Sequence, residues 1–141
     1  MAGQDEAALA VQSASNEEYL LNLIGQLRAQ YPIRDVYLLG FSQGAVMSYV
    51  TGLRHPEVVK GVIAFGGALP AELFTPEAIA ASAPVRVFIA HGREDNFAEG
   101  AQGVYDRLLA AGYDVTLHGF DGGHYINLTA LKTAQAWMNG A

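Results

Sequence analysis

A serine hydroxyl attacks well only when a base takes its proton and a carboxylate orients that base. Three residues of this chain have the types and the order for such chemistry: Ser42, Asp95 and His124. Ser42 is the centre of Gly40-Phe41-Ser42-Gln43-Gly44, a glycine-x-serine-x-glycine pattern. The apolar run Val36-Tyr37-Leu38-Leu39 precedes it and a helix-like segment follows. That strand-turn-helix setting gives the short pattern its meaning. A sharp turn of this kind holds the serine in strained backbone and stands its Oγ above a sheet edge. Glycines are expected at Gly40 and Gly44, where side chains would collide with the turn. The backbone N–H of Gln43 then lies at a helix N-terminus and points at an oxyanion formed on a substrate. The plain alternative is a glycine-rich turn whose serine only caps the helix.

Asp95 lies in His91-Gly92-Arg93-Glu94-Asp95-Asn96, after an apolar run over 85–90. His124 closes Gly119-Phe120-Asp121-Gly122-Gly123-His124, after a run over 113–118. Parallel strands share their C-terminal edge, so three post-strand loops would deliver serine, acid and histidine to one place. Glu94 is the substitute for Asp95. His91, before a glycine, is expected to fix the Asp95 loop, and Asp121 to brace the His124 loop. His118 falls at a strand end. His55 sits at a helix C-terminus, where a histidine is at home without chemistry. No His-x-x-x-His or comparable ligand spacing occurs, so neither a metal nor a cofactor is expected.

The elements that must position these residues follow from the spacing of apolar side chains. Residues 1–14 are alanine-rich and read as a tail or a short helix. Ser15-Asn16-Glu17-Glu18 reads as a capping box opening a helix that carries Leu20, Leu23, Ile24 and Leu27 and ends at Pro32. Strands are expected over 35–40, 62–65, 85–90 and 113–118. Between them come helices over 43–54, from Thr75-Pro76, and up to Gly112; a last helix spans 125–138. The strands are continuous apolar runs, as a parallel sheet covered on both faces requires. The expected fold is therefore α/β: about four parallel strands with helices on both faces, in one minimal domain over residues 1–141.

Composition narrows the function further. The chain has 141 residues, 51% hydrophobic and 16% charged, which fits a folded domain rather than a disordered one. The net charge is -6, and eight Lys and Arg are scattered along the chain, so no basic patch for nucleic acid or an anionic membrane forms. With no cysteine, disulfides, thiolate zinc sites and a cysteine nucleophile are excluded. No apolar run approaches a membrane span, and residues 1–12 lack the pattern of a signal peptide, so the expected location is cytoplasmic.

With these residues in place, the chain resembles the α/β-hydrolase superfamily. Within it the likeness is to the phospholipase/carboxylesterase family, which includes small carboxylesterases and acyl-protein thioesterases. The elbow around Ser42 is that family's. Gly67-Ala68-Leu69-Pro70 resembles its strand-end segment, and His91-Gly92-x-x-Asp95 its acid loop. Ala111-Gly112-Tyr113-Asp114-Val115, leading to Gly123-His124, resembles its last strand and histidine loop. The resemblance runs from about residue 16 to the end. It implies a cofactor-free serine hydrolase: Ser42 attacks, His124 takes and returns the proton, Asp95 orients His124, and an acyl-enzyme forms and is hydrolysed. It also implies a truncated α/β-hydrolase. Family members carry more chain before the elbow, which supplies further strands and the His-Gly-x-Gly loop with a second oxyanion N–H.

The leading expectation is a carboxylesterase for small, short-chain esters, with Phe41, Phe74, Phe97, Phe120 and Tyr125 as candidate pocket aromatics. The alternatives are a non-catalytic hydrolase-like binding module, and thioesterase or lysophospholipase activity. The strand from Val36 to Leu39 would lack an outer neighbour, an unpaired apolar edge that proteins usually cover. A homodimer or larger homo-oligomer covering it is expected.

Overall fold

Four short apolar runs set the architecture of the computed structural model, which describes residues 2–71, 74–82 and 84–140. They form β1 (Tyr37–Phe41), β2 (Gly61–Phe65), β3 (Arg86–Gly92) and β4 (Val115–Phe120). All neighbours pair in parallel, in the order β1-β2-β3-β4. One row of the register runs Leu38, Val62, Val87, Val115 across the whole sheet. Strands aligned this way end together, so the loops after β1, β3 and β4 emerge at one edge.

The helices are α1 (Ala2–Gln30), α2 (Gln43–Arg54), α3 (Pro76–Ala81), α4 (Ala98–Ala110) and α5 (Leu128–Met138). Alternate residues of the central strands feed two cores, because successive strand side chains point to opposite faces. Val62, Ala64, Val87 and Ile89 pack with Tyr49, Val50 and Leu53 of α2 and with Val104 and Leu108 of α4. Ile63, Phe65, Phe88 and Ala90 pack with Ala130, Ala134 and Trp137 of α5. With both faces buried, the strands read as continuous apolar runs.

Strand and helix ends depart from the sequence expectation for identifiable reasons. β3 and β4 run past residues 90 and 118 because His91 pairs with Gly119 and Gly92 with Phe120, so the ladder continues into segments that read as loop. α5 starts at Leu128 rather than Tyr125, since the Asn127 side chain accepts the N–H of Ala130 at 2.9 Å and caps the helix there. Thr75 caps α3 as its sequence implies, accepting the N–H of Ala78 at 3.2 Å.

The largest departure is α1. The Ser15 capping box does not start a helix, and residues 2–14 are neither tail nor separate helix. One helix runs through, and Ser15 is an exposed residue inside it. Ala7, Ala8, Ala10 and Ala14 are the strongest helix formers and leave no end for Ser15 to cap. The middle of α1 is anchored on α2. Ile24 is buried, the Asn16 amide donates to the Met47 sulfur at 3.2 Å, and Glu17 lies 3.7 Å from Arg54 and 3.5 Å from His55.

β1 pairs with β2 alone and forms one edge of the sheet. Leu39 is 47% exposed there. Beside it a groove of about 370 Å³ opens between β1 and α5, lined by Tyr37, Leu39, Ile63, Leu131, Ala134 and Met138. Among the described residues no helix is long and apolar enough to cross a membrane.

A continuous α1 makes a prediction at Ser15. Loss of an N-cap costs typically about 1 kcal/mol, whereas Ser→Ala at an exposed helix interior gains up to about 0.5 kcal/mol. Ser15→Ala is expected to leave stability unchanged or slightly raised in urea unfolding. A loss near the capping value would show that a helix begins at Ser15.

Candidate active site

The turn between β1 and α2 is the strained point of the chain. Ser42 has φ 56 and ψ -114, the one non-glycine with positive φ among the described residues. Such a conformation costs on the order of 1–3 kcal/mol and persists only where its surroundings enforce it. They do so here through both main-chain groups. The N–H of Ser42 donates to the carbonyls of Phe65 at 2.9 Å and Gly66 at 3.0 Å, while its C=O accepts from Ala45 at 3.0 Å. The two glycines of the turn differ in their surroundings. A Cβ on Gly40 would run into the Gly44 carbonyl, but a Cβ on Gly44 would meet nothing within 4 Å. Gly44 already belongs to α2 and faces open space, so the elbow does not demand a glycine there.

The Ser42 side chain makes no capping bond to α2, which removes the plain alternative of a helix-cap serine. Its Oγ lies 3.1 Å from Nε2 of His124. The other ring nitrogen, Nδ1, lies 2.8 Å from Oδ2 of Asp95. With the ring proton on Nδ1 facing the carboxylate, Nε2 is left free to accept the Ser42 hydroxyl proton. The three residues thus meet as the sequence ordered them. The N–H of Gln43 is the first of α2 and, like all first-turn N–H groups, has no partner within its helix.

Asp95 is held from several directions. Its side chain is 3% exposed. Burial pushes its carboxyl up, but the Phe97 N–H on Oδ1 at 2.9 Å, His124 on Oδ2 and the nearby His91 outweigh this and leave it below the usual value. The carboxylate therefore stays charged, which fixes the orientation of His124.

Backbone and ionic bonds lace the acid loop to the histidine loop. Arg93 N–H donates to Phe120 O at 2.8 Å and Glu94 N–H to Gly122 O at 2.9 Å. The Arg93 guanidinium meets Asp121 at 2.5 Å, so Asp121 braces the His124 loop as expected. Glu94 is exposed, and the hydrogen bond to His124 comes from Asp95 instead. Gly66, with φ 56, passes under the pair: a Cβ there would come within 3.1 Å of the His124 ring. Phe41 and Phe97 flank that ring, with centroids at 4.7 Å and 5.0 Å.

The remaining candidates stay outside this cluster. His91 Nδ1 lies 3.1 Å from the carbonyl of Gly92, at the end of β3. His118 stacks on Phe88 with centroids 6.0 Å apart, and His55 ends α2 beside Glu57. Phe74 lies away from Ser42 and His124: it is buried in the α2–α4 core with Arg54 over its ring. Phe120 is buried and touches Tyr125. Among the described residues no three metal-ligating side chains gather. Sequence reading did not find Gly66 or the Phe97 N–H. The signal for Gly66 was present, since Gly66-Gly67 ends a strand at the same sheet edge.

Comparison with known proteins gives this geometry a context. The sequence model described as Phospholipase/Carboxylesterase matches residues 3–140. A probable carboxylesterase of Oryza sativa subsp. japonica is 28% identical over 111 residues, covering 76% of this chain and 42% of that protein. The structure of esterase PE8 superposes with a TM-score of 0.73 at 33% identity, covering 90% of this chain and 60% of PE8. The Bacillus cereus carboxylesterase matches in fold, with a TM-score of 0.73 at 20% identity over 96% of this chain and 62% of its own. The α/β fold is thus that of hydrolases, and the chain spans about three-fifths of these structures.

The lowered Asp95 carboxyl has a consequence for stability. A depressed folded-state pKa stabilises fully above the ordinary value of 3.8, and the contribution is lost as the pH falls through the folded value. Asp95→Asn is expected to melt lower than the parent at neutral pH. Between about pH 4 and pH 3 it should lose less stability than the parent. Parallel melting curves across that acid range would count against a lowered Asp95.

Proposed function

Because the chain belongs to the phospholipase/carboxylesterase family, we propose that it is a serine carboxylesterase acting on small, short-chain esters through Ser42, His124 and Asp95. The observation that carries this reading is the unbroken pair of hydrogen bonds, 3.1 Å from Ser42 to His124 and 2.8 Å from His124 to Asp95. His124 takes the hydroxyl proton as Ser42 Oγ bonds to the ester carbonyl carbon. The carbonyl oxygen becomes an oxyanion facing the Gln43 N–H, where the α2 dipole favours negative charge. As the C–O bond breaks, His124 gives the proton to the departing alcohol. A water then repeats the sequence on the acyl-Ser42 ester, releasing acid and free serine. Asp95 stays ionised throughout and offsets the imidazolium charge.

The preference for short acyl groups is supported by how little chain stands above the edge. Ser42 is half-buried and His124 exposed. A cytoplasmic setting is part of the same proposal.

The proposal includes a homodimer, or a larger assembly of the same chain, that covers β1. A backbone edge free of charge and proline, with Leu39 exposed beside an apolar groove, supports it. Thioester hydrolysis remains the alternative within this chemistry, and a non-catalytic binding module the alternative outside it.

Two measurements test the reading. The protein should hydrolyse a chromogenic short-chain ester and react with a fluorophosphonate; Ser42→Ala should lose both, with at least a roughly 10³-fold fall in rate. Equal rates for parent and variant end the proposal, and hydrolysis that is absent from both favours the binding module. Sedimentation velocity should show a dimer or larger species, and Leu39→Lys should raise its dissociation constant at least roughly tenfold. A monomer at micromolar concentration would remove the assembly from the proposal.

A further inference from the structure

We propose that Phe97 is a positioning residue for proton transfer at His124: its main-chain N–H fixes Asp95 while its ring, with that of Phe41, holds the imidazole in line with Asp95 and Ser42. The proposal rests on the reading of Ser42, His124 and Asp95 given above.

The need for such a residue follows from the geometry of the imidazole. Its two hydrogen bonds leave from Nδ1 and Nε2, both in the ring plane. Two in-plane contacts define an axis, and the ring can still rock about that axis. Rocking leaves both nitrogens near that axis but turns the in-plane lone pair of Nε2 away from Ser42 Oγ. Only contacts on the ring faces oppose it. The bonds that lace the His124 loop to the acid loop hold its backbone and do not touch the imidazole faces, and the His124 side chain is 36% exposed. The rings of Phe41 and Phe97, tilted by 35° and 37° to the imidazole, supply the missing contacts.

Phe97 does this while holding the acid. It sits at the start of α4, where its N–H donates to Asp95 Oδ1 at 2.9 Å. One residue thereby ties the carboxylate through its main chain and the base through its side chain, so the two cannot drift apart independently. The Phe97 side chain has no comparable duty in the core. It is 44% exposed and belongs to neither buried cluster. The contact its ring does make is with the His124 imidazole, at 5.0 Å between centroids. Phe41 touches the same imidazole but also packs against the α5-side core, so its truncation would mix folding with positioning. Phe97 isolates the effect, because Phe97→Ala keeps the N–H that binds Asp95.

The experiment compares Phe97→Ala and Phe97→Trp with the parent by ester kinetics and by proton NMR. The signal to follow is the low-field Nδ1 proton of His124, assigned by its absence in His124→Gln. Melting curves check that each variant folds. Phe97→Ala is expected to lower kcat about 10- to 100-fold, since small misplacements of a catalytic group cost that much. KM should stay within about twofold, as expected when ground-state binding is untouched. The low-field signal should broaden away as the ring becomes free to rock and exchange with water. Phe97→Trp should restore both. A low-field signal that survives Phe97→Ala overturns the proposal, as does its absence from the parent. A rise in KM alone makes Phe97 a substrate contact instead and also overturns it. If the parent hydrolyses no ester, the esterase reading fails while the NMR comparison still decides whether Phe97 holds the ring.

Discussion

The N–H of Ser42 reaches two carbonyls of the neighbouring strand end, Phe65 and Gly66, at 2.9 and 3.0 Å. Everything at the site depends on that attachment. A serine at φ 56 would relax if the turn were free to move, because L-residues avoid this region. Tying it to β2 fixes the position of Oγ relative to the sheet. Its N–H is spent on that task, so any donation to substrate falls to Gln43. Gly66, which accepts one of these bonds, also lies against the His124 ring. One short segment after β2 therefore sets the serine and clears room for the histidine, although it contributes no side chain to the chemistry.

The remaining partners are fixed by lacing rather than by burial. β3 and β4 extend their ladder to Gly92 and Phe120, and the loops beyond exchange backbone bonds and an Arg93–Asp121 pair. That pair is exposed and worth little as stability, on the order of 0–1 kcal/mol. Its value is geometric, since it joins the loop of the acid to the loop of the base. Asp95 by contrast is almost fully buried, and a buried carboxylate persists only with its oxygens satisfied. Phe97 and His124 satisfy one oxygen each.

What the sequence made legible follows this division. Elements defined by local pattern were readable: α2 from its elbow, α3 from Thr75-Pro76, and four strands from four apolar runs. Asp95 stood ahead of Glu94 through the likeness of His91-Gly92-x-x-Asp95 to the family's acid loop; in the structure Asp95 is buried and Glu94 exposed. Features set by long-range contact were not readable. Ser15-Asn16-Glu17-Glu18 has the local form of a capping box, yet a helix already in progress overrode it. Gly44 matched its motif by letter, but only Gly40 faces the carbonyl that excludes a side chain. Phe97 looked like one of five loose aromatics. Its importance comes from a histidine distant in sequence and a main-chain bond that no side-chain pattern encodes.

The exposed edge of β1 lies beside the same serine, Ser42. Gly66, His124 and Asp95 all crowd Ser42 from the β2 side. Among the described residues no strand pairs with the other flank of β1. A donor aimed at a water-filled site is worth less than one in a closed site. Covering β1 would change both conditions at once, because any strand paired to it brings backbone N–H groups alongside Phe41 and excludes water from the same flank. The stability of the edge and the proposed chemistry of Ser42 thus depend on the same flank of β1.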